Sequence, residues 1–364
     1  MGVLAGCSPS DGSKELDLGR EAYGLGDLKK ADKLLSKSVE LCPDGVDAVL
    51  LLARVKSDLG EVAAATNLAA RAAALAGGDA DVRLVGAQAA WRAKDVGRAA
   101  KLFASVAEDS ALAPAIRAQG WTGVGIAEMS KDQHHLARIA FLRAIRMDRR
   151  NAAAWYHLGL VYRDAFGYYE TALEQFEIFV RLEASAGPRV QRVQRSVIPA
   201  LKDTIARETS SRAGVSKRDS SASAAALAKA EAAMKKGTAK AALDFYQTAL
   251  SSDPLSYPAA LGLAKAWLKV DSSKTGMAKS LAAYKTACSL RPGAISTFLA
   301  AGDLASRLGY HAQAVEIFSR AVAASPSSLQ ALDGLIRALQ RAGGQNSVAR
   351  AYQRYRDSIP VNRK

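Results

Sequence analysis

The sequence predicts an all-α solenoid of antiparallel helix pairs, about nine in number, and three observations carry that prediction. A small residue beside Leu, then Gly, then Ala, then an aromatic or Leu, then Pro recurs about every 34 residues. Hydrophobic residues make up 49% of the chain and aromatics 6%, so the apolar mass is mostly Ala and Leu, as closely packed helices require. No strand-like alternation bounded by turn residues competes with the helical period. A single unit of this length cannot bury its own apolar face, so successive units must stack.

The clearest copies run Trp121, Val124, Gly125, Ala137, Phe141, Ala144; then Trp155, Leu158, Gly159, Tyr162, Gly167, Ala172, Phe176, with one extra residue expected in the turn; then Phe298, Ala301, Gly302, Gly309, Ala314, Phe318, Pro326. Weaker copies fall in phase around Gly19, Ala53, Ala87, Ala230, Ala264 and Leu335. The small residues mark close helix crossings, and Gly between the helices supplies a left-handed turn. The aromatic fills the space between units, and Pro stops the second helix. These segments resemble the tetratricopeptide repeat, which implies a right-handed superhelix whose first helices line a concave, partner-binding groove.

In chain order, residues 1–11 read as a lipobox remnant and tether. Residues 12–183 hold about five repeats, 184–223 a capping helix and a basic, Ser-rich linker, and 224–364 about four repeats and a C-terminal helix. Val190–Ile205 reads as the capping helix, bent or interrupted by Pro199. Leu4-Ala5-Gly6-Cys7 is similar to a bacterial lipobox, which implies a lipidated Cys7. Ser8-Pro9-Ser10-Asp11 after it is a polar tether. Only six residues precede this cysteine, where the pattern calls for a basic segment and an apolar stretch. An upstream start, a removed leader or coincidence would each explain that. Cys42 and Cys288 read as packed small hydrophobes.

The formal net charge is +15, and the stretch from Arg181 to Arg218 carries nine basic and three acidic residues. Such charge suits acidic proteins, anionic lipid or nucleic acid, but no nucleic-acid-binding motif accompanies it. The resemblance places Arg20, Tyr23, Arg54, Trp91, Arg92, Tyr156 and Arg163 in the groove of the first array. In the second it places Lys265, Lys269, Arg307, Asp333, Arg337 and Arg341, a mainly cationic set. An acidic and apolar partner segment would suit both. No repeat has the Lys and Asn pair of chaperone-type carboxylate clamps; those two positions hold Tyr156 and Leu160 in one repeat and Leu261 and Lys265 in another.

Nothing in the sequence points to catalysis, a metal or a cofactor. His134-His135 reads as a solvated turn, and His157 as a residue at the groove edge. Gly123 and Gly125 lie in a predicted helix and form no dinucleotide fingerprint, and P-loop, HExxH and nucleophile-elbow patterns are missing. The expectation is a non-enzymatic protein-binding scaffold, lipid-anchored in the bacterial envelope and facing the periplasm, with no small-molecule substrate. The alternatives are a cytoplasmic scaffold or regulator, and the substrate-binding arm of an enzyme complex.

Overall fold

A computed structural model describes residues 12–183, 187–213 and 218–360; residues 1–11, with the lipobox-like Cys7, lie outside them. Every regular element among the described residues is helical. Two compact units divide between His157 and Leu158, within a helix. The first unit runs α1 (Ser13–Gly24), α2 (Leu28–Leu41), α3 (Val46–Asp58), α4 (Val62–Ala76), α5 (Ala80–Arg92), α6 (Val96–Ala107), α7 (Pro114–Met129), α8 (His134–Met147) and the start of α9 (Ala152–Leu160). The second continues from α9 through α10 (Tyr169–Leu182), α11 (Pro188–Arg192) and α12 (Ile198–Ala213). It then runs α13 (Ser220–Lys235), α14 (Ala239–Ser252), α15 (Tyr257–Val270), α16 (Lys274–Leu290), α17 (Ile295–Arg307), α18 (His311–Ala324), α19 (Leu329–Ala342) and α20 (Asn346–Asp357). Within each unit the helices pair as the repeat predicts: α1 with α2, α3 with α4, α5 with α6 and α7 with α8 in the first, and α13 with α14, α15 with α16, α17 with α18 and α19 with α20 in the second. First helices also touch one another, α1 on α3, α3 on α5, α5 on α7, α13 on α15 and α17 on α19.

The pairs are held at close range by an aromatic ring set against glycines. The fully buried Phe318 of α18 faces Gly302 of its own first helix and Gly334 of the next. A Cβ on Gly302 would stand 2.6 Å from that ring and one on Gly334 2.3 Å, inside any permissible contact. Other second-helix side chains repeat one or other half of the arrangement. Phe141 meets Gly125 and Phe176 meets Gly159 within their pairs, while Phe103 meets Gly123 and Tyr246 meets Gly262 of the following pair. The crossings therefore admit a ring only because the facing residue has no side chain.

Turns follow the same economy. Gly26, Gly60, Gly167, Gly237 and Gly309 take the left-handed conformation between paired helices, and in two repeats Lys94 (φ 61°) and Asp132 (φ 56°) take it without glycine. Asp27, Asp79, Asp95 and Asp219 cap the helices that follow, each carboxylate accepting from a backbone N–H of the first turn. Pro43, Pro254, Pro292 and Pro326 each lie two residues beyond the end of a second helix, and the residue before each is extended, as proline requires.

Two π turns interrupt the regular helices. The extra residue of the fifth repeat does not enlarge its turn. It is absorbed as a π turn, Val161–Ala165, where the Phe166 N–H donates to the Val161 carbonyl at 3.3 Å. A second π turn, Val193–Val197, lies just before Pro199. Proline removes one backbone donor and crowds the carbonyl four residues back, Arg195, and the wider turn makes room for it, so the helix bends without ending. α12 then packs against α10. The expected flexible segment is also largely helical among the described residues. α12 persists to Ala213, and α13 opens at Ser220, where Asp219 caps it and Arg218 grips the buried Asp253 through two bonds of 2.7 and 3.0 Å. Cys288 is a buried free thiol, as expected of a packed residue.

The histidines also correct the sequence reading. α8 begins at His134, and burial, helped by the nearby Arg138 and His134, holds the His135 imidazole down to about 3. Arg138 itself is fully buried. His157 stacks on Phe141, with centroids 5.7 Å apart and planes 14° apart. Both rings are packing elements.

Two outcomes follow from this packing. Gly302→Ala should cost about 1–3 kcal/mol through overpacking against Phe318, while Gly293→Ala, whose Cβ meets nothing within 4 Å, should leave the melting curve in place. The unfolded His135 takes up a proton near pH 6.5 but the folded one only near 3, so its contribution is complete above 6.5 and is lost as pH falls through that window. Wild type should lose up to about 2 kcal/mol from this group by pH 5, and His135→Gln should flatten the pH dependence of the melting temperature between 6.5 and 5.

Candidate functional site

The structure places the two groups of expected groove residues in different electrostatic states. In the first unit, α1, α3, α5 and α7 supply a polar hollow of about 250 Å³ lined by Tyr23, Arg54, Asp58, Gln88 and Gln119. Asp58 is its centre. The Tyr23 hydroxyl donates to one carboxylate oxygen at 2.8 Å, and the Arg92 guanidinium donates to the other at 2.8 Å and also reaches the Ser57 carbonyl. Burial, and then this bond to Asp58, push the Tyr23 phenol above its ordinary pKa.

The remaining cations of that row are paired as well. Arg20 lies 3.2 Å from Asp17 and 3.8 Å from Asp47, and Arg54 lies 3.6 Å from Asp81. Trp91 is half-buried against a cluster that includes Leu84, Ala87 and Phe103. Tyr156 stands edge-on to its neighbour His157 at 5.1 Å. This surface is polar and internally neutralised, where the sequence alone suggested a mixed aromatic and cationic groove. Arg163, in the second unit, sits in the first π turn, where it bonds Asp164 at 2.8 Å and covers the Phe176 ring at 5.8 Å.

Elsewhere in the second unit the balance is reversed. Lys265 and Lys269 of α15, Arg307 of α17, and Arg337 and Arg341 of α19 are all exposed. None makes an ion pair among the described residues. Only Asp333 of the expected set is engaged, by Arg356 of α20 at 3.0 Å.

Two residues missed in the sequence sharpen this pattern. Lys235 of α13 is exposed one repeat before Lys269, so Lys235, Lys269, Arg307 and Arg341 put one cation at the same phase of four successive first helices. Asp303, also exposed, takes the phase of Lys265 and Arg337, so the neighbouring row is mixed. The signal for Lys235 was its spacing from Lys269, hidden because the first helix of that repeat, α13, carries no aromatic. Among the described residues no group of His, Cys, Asp and Glu is arranged to hold a metal ion.

Comparison with known proteins agrees with the helix pairing. A tetratricopeptide-repeat family model matches residues 125–188 and 212–257, and a second matches 295–328. Similar solved structures include PilF of Pseudomonas aeruginosa, at 18% identity and TM-score 0.43, covering 54% of this chain and 90% of that one. They also include MamA from residue 41 onward of Desulfovibrio magneticus RS-1, at 18% identity and TM-score 0.39, covering 49% and 97%. No curated protein matches the chain. The chain therefore carries tetratricopeptide repeats in those three segments.

Proposed function

We propose that this chain is a non-enzymatic scaffold that binds other proteins, docking an acidic, partly apolar partner segment along the first helices of the second unit. The observation that carries this reading is the row of exposed cations without an ion pair among the described residues at one repeat phase, Lys235, Lys269, Arg307 and Arg341, beside a mixed row of Lys265, Asp303 and Arg337. An ordinary solvated helix face scatters both signs, as Arg20, Arg54 and Arg92 do among their carboxylates. A row of one sign across rigid helices instead creates a field that steers an acidic partner and sets its register. The tetratricopeptide repeats support the same reading, since such repeats bind proteins or peptides. The first unit's neutral hollow would then hold partners through shape and hydrogen bonds rather than charge.

Envelope placement, facing the periplasm with a lipid anchor at Cys7, is part of the proposal. It is supported by Leu4-Ala5-Gly6-Cys7 and the polar tether after it. Among the described residues no helix is long and apolar enough to cross a membrane.

Reversing three cations together, Lys269→Glu, Arg307→Glu and Arg341→Glu, should lower quantitative capture of the native partner set at least tenfold while the melting curve stays put, because all three are exposed and none makes an ion pair among the described residues. Capture unchanged by the reversal would reduce the row to a solvated face. Intact-mass analysis of protein from native membranes should show a chain beginning at an acylated Cys7. An unmodified chain in the soluble fraction would instead favour a cytoplasmic scaffold.

A further inference from the structure

A cavity of about 360 Å³ opens within the second unit, away from the cationic row, where the turn before α10, the end of α12 and the α16–α17 corner meet α18. Its volume is in the range of small-molecule sites. Both departures from the repeat described above lead into it. The first π turn precedes Gly167 and Tyr168, which begin one wall, and the second lies in the continuous helix that becomes α12, which supplies another. π turns of this kind often mark functional sites.

The lining is chemically divided. Arg320 brings a guanidinium that lies over the Tyr168 ring at 5.2 Å. Its Nε is buried without a hydrogen-bond partner among the described residues, and its one ion pair there is a long contact of 3.8 Å to Glu316. α10 brings the Glu170 carboxylate and the Thr171 hydroxyl, and α12 brings the Glu208 carboxylate and the Ser211 hydroxyl. Between these charged groups stand apolar surfaces, the ring of Phe298, Pro292 and the Cys288 thiol. Burial pushes that thiol up to about 12, so it stays neutral and takes no part in charge recognition.

A cation with an unsatisfied donor, two acids and an apolar wall in one cavity ask for a ligand with a carboxylate, an ammonium and an apolar part. We propose that this cavity binds a small zwitterion, an α-amino acid with an apolar side chain. Its carboxylate is held by Arg320, its ammonium faces Glu170, and its side chain rests on Phe298 and Pro292. The site stands independently of the docking surface proposed above.

Calorimetric titration of the full chain with L-phenylalanine tests this, alongside 3-phenylpropionate, which lacks the ammonium, and phenethylamine, which lacks the carboxylate. Saturable binding of L-phenylalanine is expected, with each analogue at least tenfold weaker. Arg320→Gln and Glu170→Gln should each weaken L-phenylalanine at least tenfold, with circular-dichroism melting confirming that the variants are folded. No binding at millimolar L-phenylalanine would overturn the proposal. So would equal binding of 3-phenylpropionate, or affinity untouched in a folded Arg320→Gln. If Arg320→Gln does not fold, the analogue series on the wild-type chain decides alone.

Discussion

The structure depends on one contact above all, an aromatic ring seated on glycine where two helices cross. Phe318 shows it most fully, lying against Gly302 on one side and Gly334 on the other. One side chain thereby closes its own helix pair and locks the next pair onto it. Burying such a ring contributes on the order of 1.5–3 kcal/mol, and the contact is specific because any side chain on the facing residue would collide with the ring. The contact recurs at Gly262, Gly302 and Gly334 and so fixes the rotation of α15, α17 and α19, which carry Lys269, Arg307 and Arg341 at one phase. The proposed recognition row is in this sense a consequence of core packing.

The same logic explains the contrast between the units. In the first, acids occupy phases that meet cations one repeat away, and Asp58 collects both Tyr23 and Arg92. In the second, the row beside the cations holds Asp303, but the cationic row itself contains no acid. Repeats of nearly identical geometry can therefore present a neutral or a charged face through a handful of surface choices that leave the core untouched. Exposed charges at such sites are screened at physiological salt, so their effect falls on encounter and register more than on stability.

Much of the fold was legible in the sequence because its signals are local and periodic. Gly125 with Phe141 and Gly302 with Phe318 recur at fixed spacing, and Pro292 and Pro326 mark helix ends wherever they stand. The glycines of the following repeat, Gly334 against Phe318, Gly123 against Phe103 and Gly262 against Tyr246, were not legible, since each belongs to the next helix pair. The Asp58 network was missed because each cation was judged by its own phase and not against the residue one repeat away. His135 looked solvated beside Asp132 and Gln133, yet helix α8 starts one residue earlier and turns it inward. The π turn at Val161–Ala165 was visible only as an extra residue, and a helix can absorb an insertion as readily as a loop can. The cavity beside Arg320 had no sequence signature, because its walls come from helices far apart in the chain.

The most direct test of the central claim is a double-mutant cycle between Gly334 and Phe318, read by chemical denaturation. If the ring of one pair locks the next, Gly334→Ala should be costly with Phe318 in place and much less so in a Phe318→Leu background, giving a coupling energy on the order of 1 kcal/mol or more. Strictly additive effects would contradict it, and would mean that successive pairs are held together by something other than the shared ring.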